Sequence, residues 1–140
     1  MSKYEFIKFI PEEIDRIWSL VEDLIQSACD RAGGFADAEH IRQILKNARM
    51  QLWVVWDVEN QKVLCVCVTE LREYPKYKVC DIKITVGRGM KTWFHFIDHI
   101  MEWAKKQGCK KMEVFARPGW KKILESRGFK QTHVQIEKEL

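Results

Sequence analysis

The chain has 140 residues, 46% hydrophobic and 31% charged, which is the balance of one soluble globular domain with a sizeable core. No stretch approaches the roughly 18 apolar residues of a membrane span, and the N-terminus lacks a signal-peptide pattern, so a cytoplasmic protein without membrane contact is expected. The net charge of +4 hides an asymmetry: residues 1–70 carry 8 Lys/Arg against 12 Asp/Glu, and residues 71–140 carry 16 against 8. A basic C-terminal half suits a polyanionic ligand, nucleic acid or an acidic partner, although solubility alone would also account for it.

Tyr4–Ile10 alternates as an opening strand and stops at Pro11. Pro11, Glu12, Glu13 and Asp15 favour a helical N-terminus, and Ile14, Ile17, Trp18, Val21, Leu24, Ile25 and Ala28 keep helical spacing for about four turns. Gly33-Gly34 closes that helix. Asp37 can cap a shorter one with Ile41, Ile44, Leu45 and Ala48 as its apolar face. Gln51–Val58 and Val63–Leu71 read as strands joined by a hairpin turn at Glu59–Lys62.

A strand at Val79–Val86 follows, then the turn Gly87-Arg88-Gly89 and a helix from Thr92 to Gln107. Trp93, Ile97, Ile100 and Ala104 form the apolar face of that helix, flanked by Phe96 and Met101. Lys110–Ala116 is a further strand, Pro118–Arg127 a short helix on Trp120, Ile123 and Leu124, and Lys130–Glu137 a closing strand. Short connections make the middle strands an antiparallel meander, whereas strand, helix and strand at the end require a parallel crossover. The expectation is one α/β domain over residues 1–140: a mixed, largely antiparallel sheet with helices on both faces.

The basic glycine turn ahead of a helix is where backbone N–H groups and the helix dipole can receive phosphate. Asp81 and Glu70 are the strand carboxylates placed to take a proton, with a salt-bridged strand face as the plainer account, since Asp81 shares a face with Lys83 and Thr85. His95, Asp98, His99 and Glu102 fall on the solvated side of their helix, which reads as surface before metal site. The five cysteines lack framework or zinc spacing and read as buried thiols, with Cys80 and His133 a remote nucleophile–base pair. Arg117, Trp120, Lys121 and Lys122 set an aromatic among cations, but that helix needs Trp120 for its core, so nucleic acid ranks last among the partners.

The order of elements resembles the GNAT superfamily of N-acetyltransferases, as do three local runs: Arg88-Gly89, Glu102–Cys109 and Arg127-Gly128-Phe129. The resemblance implies acetyl-CoA as cofactor and an amine as acceptor. Its pantetheine arm would lie along Ile84–Val86 and its pyrophosphate on Gly87, Arg88, Gly89, Met90 and Lys91. Asp81 would be the base. The chain departs from the family's pattern at four positions. Lys91 and Trp93 stand where the phosphate turn has small residues, Leu124 where a tyrosine acts as general acid, and Arg117 where an asparagine opens the last helix.

The Arg117–Lys122 run also looks like small acetyltransferase-like proteins of tailed bacteriophages. That second resemblance implies a structural or assembly accessory, in the host cytoplasm or the virion, that keeps the fold without catalysis. Such a protein would meet a protein partner through its surface or sit in the phage particle.

Overall fold

A computed structural model describes residues 3–116 and 118–140, apart from the side chains of Met90 and Thr92. Among the described residues five strands form one sheet in the order β1-β2-β3-β4-β5. They are β1 (Tyr4–Phe9), β2 (Met50–Asp57), β3 (Lys62–Glu73), β4 (Lys78–Gly87) and β5 (Cys109–Val114). The first four pair antiparallel in succession, and β4 pairs parallel with β5. The helices are α1 (Ile14–Arg31), α2 (Ala38–Lys46), α3 (Met90–Lys106) and the short α4 (Lys121–Glu125). This is the mixed sheet with a single parallel crossover that the order of elements predicts.

Each face of the sheet buries its own core. Ile14, Trp18, Val21 and Ile25 of α1, with Ile41 and Leu45 of α2, pack on Leu52, Val54, Val66, Val68, Ile84 and Val86. On the other face Trp93, Phe94, Ile97, Ile100 and Ala104 of α3, with Leu124, pack on Trp53, Val55, Cys65, Cys67, Cys80 and Ile82. Trp53 is fixed by a buried chain of bonds: its indole donates to Thr69 Oγ1 at 3.0 Å, and that hydroxyl donates to Gln51 Oε1 at 2.8 Å.

A β-bulge reverses the alternation of β4. Opposite β3, Val68 faces Ile84 and Thr69 faces Ile82, so Lys83 is the extra residue. Before it, Cys80 and Ile82 point to the α3 face; beyond it, Ile84 and Val86 point to the α1 face. Thr85 accordingly places its hydroxyl against Cys67 Sγ on the α3 side, at 3.8 Å. The expectation that Asp81, Lys83 and Thr85 share one face is corrected at Thr85.

Four further expectations change. Ala48 lies beyond α2 with a φ of 61° and is exposed, because the chain turns out of the helix before reaching it. Phe94, outside the predicted stripe, is buried against Trp93 and Trp120. The last helix is one 3-10 turn, Pro118–Trp120, continued by α4, and it leaves Ile123 exposed. Residues 130–137 take no strand: their two apolar side chains, Val134 and Ile136, stand in solvent and give the segment too little to bury.

Candidate active site

Parallel pairing of β4 with β5 runs from Lys78–Cys109 to Ile82–Val114 and ends there. Beyond that rung Lys83–Gly87 and the chain after Val114 part, and a cleft of about 170 Å³ occupies the seam. Ile82, Lys83, Ile84 and Thr85 form one edge of it, and Val114, Phe115 and Ala116 the other. Ala28, Arg31, Ala32 and Phe35 close it from the end of α1, while Trp120 meets it from the opposite side of the sheet.

β4 leads from the cleft into the turn that starts α3. Gly87 has a φ of 133°, and a Cβ there would lie 2.3 Å from the Leu64 carbonyl oxygen, so both its conformation and its surroundings demand glycine. The Arg88 N–H donates to that same oxygen at 2.9 Å, which ties the turn to β3. Gly89, with a φ of 70°, is the N-cap of α3. The N–H groups a helix start leaves without intrahelical partners therefore come from the residues after Arg88, and the exposed side chains of Arg88 and Lys91 flank them. Cleft, cations and helix start lie along one path in chain order.

Trp93 does not fill this path. It is 1% exposed, in the core beneath α3, edge-on to Phe94 and Trp120 with ring centroids 4.7 and 6.0 Å away. Leu124 is buried in the same cluster and brings no ionisable proton. Of the residues expected along the arm, Ile84 lines the cleft and Val86 is buried in the α1 core.

Asp81 lies one rung before the seam and is 2% exposed. Its Oδ2 meets Arg72 Nη2 at 3.1 Å and Lys83 Nζ at 3.4 Å, and its buried Oδ1 has no hydrogen-bond partner among the described residues. Glu70 faces it from β3 and Glu113 from β5. Glu70 itself holds Arg72 at 3.0 Å, and Tyr74 donates its hydroxyl to Glu113 at 3.4 Å. Burial pushes the Asp81 carboxyl above its ordinary value, against the pull of Lys83 and Arg72. Asp81 is thus an ion-paired carboxylate with a raised affinity for protons, and it lies outside the lining of the cleft.

Other candidates are not assembled. Cys80 is buried, and burial pushes its thiol up to about 12, whereas His133 is exposed beside Thr132. Asp98 pairs with Arg127, Glu102 with Lys105, and His99 lies against Phe6 and Phe96. Arg117 lies outside the described residues. Arg31, Phe35 and Phe115 are cleft residues that sequence reasoning missed. No periodicity or motif marks them, because the fold alone brings the end of α1 to the end of β5.

No family model matches the sequence, and no curated protein matches it. In structure it is similar to a probable acetyltransferase, with a TM-score of 0.72 at 15% identity over 97% of this chain and 96% of that one. Glucosamine-6-phosphate N-acetyltransferase from Arabidopsis thaliana gives a TM-score of 0.71 at 14% identity, over 99% of both chains. An aminoglycoside acetyltransferase from an uncultured soil metagenomic sample, in complex with sisomicin, gives 0.71 at 12% identity over 99% and 97%. The fold is that of the GNAT acetyltransferases.

Proposed function

We propose that this chain is an acyl-CoA-dependent N-acetyltransferase with an altered pyrophosphate turn. The observation that carries the reading is the parting of β4 from β5 after Ile82–Val114, with a cleft at the seam and a glycine turn at its end. Acetyl-CoA, when bound, supplies a thioester-activated acetyl group. The backbone of Ile84 and Val86 holds its arm. Gly87 and Gly89 shape the turn, whose N–H groups, with the Arg88 and Lys91 side chains, take the pyrophosphate.

Asp81 acts as the base. As the amine is acylated, its surplus proton would pass toward the Asp81 carboxylate. The raised proton affinity of Asp81 suits that role. Leu124, where the family has a hydroxyl, would offer no proton to a leaving group.

A thermal melt tests the reading: acetyl-CoA at 100 times its Kd stabilises a binding protein by about 2.7 kcal/mol. An unchanged melting temperature at millimolar acetyl-CoA contradicts it.

Two observations favour a second reading: Leu124 is buried where the family's acid stands, and Lys91 occupies a small-residue position. On this reading the fold persists in a non-catalytic protein, an accessory of phage structure or assembly with a protein partner. Acetyl-CoA binding without turnover on any amine supports it.

A further inference from the structure

The charged side chains lining the cleft, among the described residues, are both cations: Arg31 and Lys83. The remainder of its wall is largely apolar, and two aromatic rings stand at its mouth, Phe35 at 57% exposure and Phe115 at 70%. Ala28 and Ala32 keep the α1 wall low between them. Arg31 is exposed on the last turn of α1, with one guanidinium N–H donated to the Ser27 carbonyl at 3.4 Å. Lys83 is different. The bulge turns it toward Asp81 and Glu70, so it lines the cleft as an anchored cation beside the last rung of the seam.

We infer that the acceptor is an amine that also carries a carboxylate on an apolar or aromatic body, as an apolar amino acid does. The inference rests on the reading of this seam as the site of acyl transfer, with the arm along the β4 backbone and the acceptor at the rim formed by the end of α1. Arg31, exposed on the last turn of α1, pairs with the carboxylate at the rim of the cleft. Phe35 and Phe115 hold the body. The amine then lies at the seam, beside the ion pair of Lys83 with Asp81. A polycationic acceptor without a carboxylate gains nothing from Arg31, so an aminoglycoside such as the one held by a structural neighbour is the wrong substrate here.

Calorimetry with matched ligands tests this, on wild type and Arg31→Ala, each with and without coenzyme A. Phenylalanine, tyrosine and leucine are compared with phenethylamine, tyramine and isopentylamine, their counterparts lacking the carboxylate, and with sisomicin. At least one amino acid binds about two- to five-fold tighter than its amine, the worth of one exposed ion pair. Arg31→Ala erases that difference and leaves both the amine and acetyl-CoA affinities as they were. The inference is overturned if no amino acid binds, or if amines or sisomicin bind as well as the amino acids. It is also overturned if Arg31→Ala weakens acetyl-CoA, which would give Arg31 to the cofactor. Wild-type acetyl-CoA binding without a carboxylate preference sinks this inference alone; absence of acetyl-CoA binding sinks the reading beneath it.

Discussion

Ile82 of β4 and Val114 of β5 are the last residues of the two strands to lie opposite one another. Everything assigned to the site is arranged around that rung: Asp81 and Lys83 on either side of Ile82, the cleft beyond it, and the glycine turn where β4 ends. A bulge at Lys83 and the tether from Arg88 to Leu64 keep β4 on β3 while β5 departs.

That tether depends on Gly87. Gly87→Ala puts a side chain at a φ of 133° and 2.3 Å from the Leu64 oxygen. A loss of about 3 kcal/mol is expected, which for a domain of this size lowers the melting temperature by about 10 °C. Gly119, with open space around its Cβ position, is the control, and Gly119→Ala shifts the melt by less than about 2 °C. Equal melts for the two variants would contradict the geometry of the turn.

Asp81 sets a pH dependence whose sign can be derived. Its carboxyl ordinarily titrates near 3.8 and is raised in the fold, so the folded chain binds the proton more tightly than the unfolded one. Stability from this group is complete below the ordinary value and is lost as pH rises through the folded one. Urea unfolding of wild type and Asp81→Asn in the acid range measures it. Relative to the variant, wild type loses stability as pH rises; a relative gain would mean that Arg72 and Lys83 outweigh burial.

The thiols are expected to be quiet. Cys29, Cys65, Cys67 and Cys80 are buried, and burial pushes Cys65 and Cys80 to about 12 and Cys67 higher still. Cys109 is half-buried, on the outer strand. A thiol reagent at pH 8 therefore titrates at most one of the five cysteines in the folded chain, and all five in denaturant. Two or more fast thiols in the folded protein would reopen nucleophilic chemistry.

Much of this arrangement is legible in the sequence, for physical reasons. Trp93, Ile97, Ile100 and Ala104 are buried because helical spacing fixes which side chains share a face. The glycine turn is legible because few backbones other than glycine's can enter a helix that way. The bulge is not legible. It depends on how β4 registers against β3, so simple alternation misplaces Thr85. Arg31, Phe35 and Phe115 meet only through tertiary structure. Residues 130–137 alternate like a strand, but alternation reports a pattern and not a partner, and Ile136 stands 89% exposed.

The most direct test of the account is a calorimetric titration of acetyl-CoA into wild type and the Arg88→Ala, Lys91→Ala double variant. Both side chains are exposed on the turn, so the variant keeps its fold and melting temperature. Wild type binds one equivalent, and the variant binds at least roughly 100-fold more weakly, since each lost charge-assisted bond is worth about 1.5–3 kcal/mol. Absence of wild-type binding at millimolar acetyl-CoA, or equal binding by both proteins, would contradict the assignment of this seam and its turn to an acyl-CoA.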